Sequence, residues 1–334
     1  MVTLSSINKE VGKIIKIAGV FIVFLLIAFT LIRLATIFIP KAPEKPQKAF
    51  GKLPQPDFLA SQINDKFKFN IDTISGNLPN LPVIARVYKI SNPAPNLLAL
   101  KNFEDSAMNL GFKNRTKVSN IYYRWSSEEP VSRILTLNIQ SGDFVITSGI
   151  LKDPNYTSAP LTTGEEITAE ASNFLDSLGV LPDDIDNTKT KIDLLSLTSS
   201  TLVKATSISR ANYLKIQFSQ KDMNNMPIVY DQDSPMSLII TLPQGSPIVV
   251  GANYSHQEVS HDSSTYPLKT SQEAFDELSN NKAYILFAPA TDSVSVKKVY
   301  LAYYIPKTKA SYLLPVVVFE GEGFLAYVPG VKDE

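Results

Sequence analysis

VKKVYLAYYI (Val296–Ile305), YLLPVVVFE (Tyr312–Glu320) and FLAYV (Phe324–Val328) follow one another near the C-terminus, separated by PKTKAS and by a turn around Gly321 and Gly323. β-Branched and aromatic residues dominate all three, as in strands that lie on a half-buried pleated surface, and the short connections predict an antiparallel meander. Along the first strand, alternation puts Lys298, Tyr300, Ala302 and Tyr304 on one face and Leu301, Tyr303 and Ile305 on the other. Tyr300, Tyr304 and Lys298 are therefore a candidate interaction surface if their face is uncovered, since aromatic side chains are enriched at interfaces. The competing reading puts both faces in a core.

Further strands are expected at 121–126, 134–140, 144–148, 212–219, 227–230, 237–242 and 248–253. Helices are expected at 163–179, where Ile167, Ala171, Phe174, Leu175 and Leu178 recur at helical spacing behind a Thr163/Glu166 capping box, and at 96–111. Those two end alike, in LDSLGV and AMNLGF, and a shorter helix follows Thr270 and Glu273. Helix followed by antiparallel strands, met three times without a fixed period, predicts an α+β fold of two or three modules, each one helix packed on an antiparallel sheet, and argues against a solenoid.

In front of these modules, Ile17 to Ile32 runs uncharged as IAGVFIVFLLIAFTLI, and apolar character continues past Arg33 to Ile39. At about 1.5 Å per residue the stretch 17–39 is long enough for the ~30 Å hydrocarbon core, and Arg33 can snorkel to the headgroups. A transmembrane helix that anchors the chain in the lipid bilayer is expected there, in preference to a cleaved signal peptide, because no A-x-A site follows. Residues 1–16 then form a tail. PKAPEKPQKAFGKLPQP, residues 40–56, reads as an extended Pro/Lys-rich stalk. Lysines flank the span evenly, so charge does not orient it.

Among 334 residues there are 32 basic and 32 acidic side chains, two histidines and no cysteine. Disulfide frameworks, zinc ribbons and thiol nucleophiles are thereby excluded. Eight of the basic and two of the acidic residues fall within 1–52, leaving 24 and 30 for the remainder, a mildly acidic balance that argues against nucleic acid as a partner. His256 and His261, with Glu258 and Asp262, fall short of a zinc site held by three or four ligands, and no metal or cofactor is expected. The S-x-x-K at Ser295 to Lys298 lies along a strand; the acidic clusters at 183–186, 231–233 and 320–322 could bind calcium or do acid–base work, but each sits beside Pro, Gly or Asn in a turn, where aspartate is favoured because it bonds its own backbone.

YLKIQFSQKDMNNMPIVYDQDSPMSLIITLPQGSPIVV, residues 213–250, resembles the PepSY pattern, with Asn224, Asn225 and Met226 in place of its usual glycine before the proline step. YPLKTSQEAFDEL, residues 266–278, with VYLAYY and LLPVVVFEGEGFLAYVP, is similar to the C-terminal module of the YycH and YycI accessory proteins. The resemblance covers roughly the last 120 residues; together with the helix-then-strands pattern it divides the chain into a first α+β module at 57–160, a PepSY-like module at 161–255 and a YycI-like helix plus β-meander at 256–334. It also implies a single-pass plasma-membrane protein with an extracytoplasmic C-terminal domain. The expected function is binding or regulation, of a sensor kinase or another membrane or envelope protein, without catalysis. The alternatives are a cell-envelope hydrolase with a carboxylate site and a structural component of an envelope or secretion assembly.

Overall fold

The computed structural model describes residues 21–30, 33, 45–58, 67–91, 97–152, 164–231, 233–242 and 246–332. The chain divides into two units, Met1–Lys45 and Pro46–Glu334. In the first, helical backbone is described at 21–30 and at Arg33. Ten residues reach about 15 Å, half of a ~30 Å hydrocarbon core. Among the described residues no helix is long and apolar enough to cross a membrane, which corrects the expected single-pass transmembrane helix. The rest of 17–39 lies outside the described residues, as does Thr163 of the expected capping box.

The second unit is built mostly of strands. It opens with β1 (Lys68–Ile71) and β2 (Ile84–Ile90), followed by α1 (Leu97–Asn109). Four strands come next: β3 (Thr116–Lys117), β4 (Tyr122–Ser127), β5 (Arg133–Asn138) and β6 (Phe144–Ser148). After α2 (Gly164–Ser177) come β7 (Lys191–Thr198), β8 (Thr201–Lys204), β9 (Tyr213–Gln217) and β10 (Ile228–Val229). Then follow β11 (Met236–Thr241), β12 (Ile248–Tyr254) and β13 (Val259–Pro267). The chain closes with α3 (Ser271–Ser279), β14 (Tyr284–Phe287), β15 (Ser293–Tyr304), β16 (Tyr312–Gly321) and β17 (Phe324–Pro329).

These strands form two sheets. A nine-stranded antiparallel sheet runs β3-β4-β5-β6-β12-β11-β9-β7-β8. An eight-stranded sheet contains the path β1-β15-β16-β17-β14, with β10 beside β15 and with β2 joining β13 to β16. Among the described strands only β1 and β10 pair parallel, both with β15. The expected meander is present as β15, β16 and β17.

The expected α+β modules, each one helix on its own sheet, are not what forms. β6 pairs with β12 through Ile146 and Ala252, which fuses the strands of the first two expected modules into one sheet. Both α1 and α2 pack on one face of it, with Phe103, Ala107, Ile167 and Phe174 against Leu135, Ile216 and Leu238. Meanwhile β2 and β10 leave their sequence neighbours to pair with late strands of the other sheet, against which α3 packs through Ala274 and Leu278. Local periodicity sets the elements, but long-range pairing decides which sheet each one joins, and the result is mainly β.

Local chemistry explains the ends of the helices. Gly111 and Gly179 adopt φ of 87° and 71°, and Phe112 and Val180 donate backwards to the carbonyls of Ala107 and Leu175, so both helices stop in the glycine-terminated motif that left-handed backbone permits. At the start of α3, Thr270 and Glu273 form a reciprocal capping box. Residues 46–53, part of the stretch expected as a stalk, lie along β13. Gln47 and Lys48 donate to Thr265, Ala49 to Ser264 Oγ, and Phe50 to the Tyr266 hydroxyl.

Candidate functional site

One face of the nine-stranded sheet is covered by α1 and α2, and the opposite face forms the floor of a cavity of about 710 Å³. Register defines that floor. Thr136 on β5 lies opposite Val145 on β6, Val145 opposite Asn253 on β12, and Asn253 opposite Ser237 on β11. Four neighbouring strands thus contribute one row of small, mainly polar side chains. Tyr122 closes one end of the floor, and Lys215 lies beside the row.

The walls come from elsewhere in the chain: Tyr230, Asp231, Asp233, Ser234 and Pro235 between β10 and β11, Tyr284 to Leu286 on β14, and Ile305 and Lys307 leading into the β15–β16 turn. Gln257 fixes that turn. Its amide donates to the carbonyls of Pro306 and Thr308 and accepts from the Ala310 N–H, and the residue is only 1% exposed.

Several ionised groups at the cavity are already engaged. Lys215 pairs with Asp233 at 2.6 Å, and Lys309 with Asp143 at 2.7 Å. Asp231 accepts the Tyr304 hydroxyl at 2.6 Å. Burial, helped by the Asp231 charge, pushes the Tyr284 hydroxyl up to about 12 and raises those of Tyr304 and Tyr327 further. At neutral pH these groups are hydrogen-bond donors and not phenolates.

Of the sequence-derived candidates, Tyr300 and Tyr304 share a face as expected, and that face is largely covered. Tyr304 is 1% exposed and packs with Phe58, Tyr284, Tyr327 and Val318. Tyr300 is half-buried, and Lys298 is exposed and paired with Glu320. Tyr304 therefore belongs to the core and not to a surface platform.

His256 and His261 do not converge. His256 Nε2 lies 2.9 Å from Asp184 Oδ1, and His261 is exposed. Burial would raise the Asp184 carboxyl, but the His256 contact and the Gln220 amide outweigh it and hold it below the usual range. Among the described residues no group of three or more His, Asp or Glu is placed to hold a metal.

The floor residues Thr136, Ser237 and Asn253 carried no sequence signal beyond lying at polar alternate positions of strands, because only register makes them neighbours.

No family model and no curated protein matches the chain. The likeness to YycH, YycI and PepSY proteins thus rests on the quoted residues alone. Among solved structures, an uncharacterized protein from Eubacterium rectale is similar over 85% of this chain and 92% of its own, at 14% identity and a TM-score of 0.38.

Proposed function

We propose that this chain is a binding protein that takes its ligand in the cleft above the Thr136–Asn253–Ser237 row. The observation that carries this reading is the cavity of about 710 Å³, within the size range of small-molecule sites, with aromatic and aliphatic side chains beside a few charged and polar ones in its walls and a row of polar groups on its floor. Its floor belongs to one sheet and part of its walls to the other, so an occupant that touches both favours one arrangement of the two, and this is the physical basis for a regulatory role. The mildly acidic balance beyond residue 52 supports a ligand other than nucleic acid.

The carboxylates that a hydrolase would need are engaged, Asp233 by Lys215 and Asp231 by Tyr304. Binding is therefore favoured over the enzymatic alternative. The test is hydrogen exchange on the full chain, with and without a mixed set of peptides, saccharides and nucleotides. Protection concentrated at 230–235 and 253–255 is expected. Protection elsewhere, or none with any probe, would overturn the reading.

A further inference from the structure

We infer that the ligand of this cleft is a neutral polyhydroxylated chain, a short oligosaccharide lying across the strands. The inference rests on the cleft being the binding site and adds the chemical class of what enters it.

The side chains of Thr136, Ser237, Asn253 and Ser255 all border the cavity, and no hydrogen bond to any of them is found among the described residues. Each can both donate and accept. An apolar ligand would bury these groups unpaired, which costs free energy. A ligand rich in hydroxyls would satisfy them in kind.

Charge selects in the same direction. Lys215 with Asp233 and Lys309 with Asp143 neutralise each other, so the cleft offers a polyanion no surplus of positive charge beyond Lys307 at the rim. A peptide added as an extra strand is disfavoured by the backbone. The floor is the face of β5, β6, β12 and β11, each paired on both sides, so the ladder donors and acceptors are spent.

Length and shape fit as well. From Thr136 to Ser237 the row crosses three strand spacings, about 14 Å at ~4.8 Å each, a span suited to a di- or trisaccharide. At one end Tyr122 is 41% exposed and presents an aromatic surface on which the apolar face of a sugar ring can lie.

The test titrates the full chain with maltotriose, cellotriose and chitotriose, and in parallel with trigalacturonate and an uncharged hexapeptide, following amide resonances of residues 136, 237 and 253–255. At least one neutral trisaccharide should bind saturably and shift these resonances. Asn253→Ala and Thr136→Val, at an exposed and a half-buried position, should each weaken it by about tenfold, the value of one hydrogen bond, with unchanged melting temperature. A saccharide that binds both variants as well as the parent would overturn the inference. If only trigalacturonate or the peptide shifts the cleft resonances, the ligand class is wrong while the cleft reading stands. If no probe shifts them, both fall.

Discussion

The hydroxyl of Tyr304 donates to Asp231 Oδ1 at 2.6 Å, joining the last residue of β15 to the segment that carries the chain from β10 into the nine-stranded sheet. The bond lies at the cavity wall and holds Asp231 beside Tyr284, whose hydroxyl it helps to keep protonated. Removing it strands a carboxylate in a poorly solvated place. Tyr304→Phe should cost about 1–3 kcal/mol, and Tyr304→Ser about 3–5 kcal/mol because a buried ring is lost as well. Tyr300→Ser, at a half-buried position, should cost clearly less. Urea denaturation read from the single tryptophan, Trp125, which is fully buried in the nine-stranded core, measures all three. Equal effects for Tyr300 and Tyr304 would contradict the packing described above.

Glu273 sets a pH dependence at the start of α3. Hydrogen bonds from Lys332 and from the Thr270 backbone hold its carboxyl down to about 2 from an ordinary 4.5. Its folded value is depressed, so its contribution is complete above about pH 4.5 and fades as pH falls towards 2. Glu273→Gln should be less stable than the parent at pH 6, and the gap should close near pH 2, as followed by denaturation across that window. Thr270→Ala, which removes the other half of the box, should cost about 1 kcal/mol.

Arg133 is 5% exposed, and among the described residues no carboxylate pairs with it. Its guanidinium donates to the carbonyls of Val249 and Leu110 and lies 4.6 Å from the Phe112 ring centre, tying the end of α1 to β12. Burial lowers its pKa to about 10, so it remains charged at neutral pH. Arg133→Ala should destabilise the chain by about 2–4 kcal/mol, because it leaves two carbonyls without donors and a void. Arg133→Lys should recover only part of this, since an ammonium lacks the planar fork that reaches both carbonyls. Full recovery by lysine in thermal denaturation would assign the role to charge alone.

Gly321 ends β16 opposite Val296, next to the register shift in β15. A Cβ there would collide with the backbone carbonyl of Ser295, which cannot swing aside as a side chain could. Gly321→Ala should therefore cost about 1–3 kcal/mol and lower the melting temperature. Gly323, where a Cβ would meet open space at φ of 61°, should yield a milder loss that comes from backbone strain alone.

The elements were largely legible from local signals, and their partners were not. The helix expected at 163–179 is observed at Gly164–Ser177, and the strand expected at 144–148 is observed at those residues. β13, VSHDSSTYP, escaped because it holds its place by pairing with β2 and not by apolar alternation. The module scheme failed for the same reason, since nothing in the spacing of Phe144–Ser148 shows that it will lie beside Ile248–Tyr254. The shared face of Tyr300 and Tyr304 was readable from alternation. What covers it, Phe58 and Tyr284, is contributed from far along the chain. The cleft floor was invisible on the same ground.

The interleaving of the two sheets bears on how the chain emerges from the ribosome. The nine-stranded sheet has all its strands once residue 254 is out. β1 and β2 are made early, yet their partners are β15, β13 and β16, so β2 stays unpaired through the synthesis of more than 160 residues before Val259–Pro267 appears. At about 5–20 residues per second this delay is on the order of 10 to 30 s. For that period IARVYKI is an apolar edge with nothing to pair with, and stalled chains ending before residue 259 should be cut by added protease at 68–90 while Trp125 is already shielded. A chain that loses its C-terminus thus keeps every strand of the nine-stranded sheet while β2 is left without β13 and β16, the strands that cover its edges.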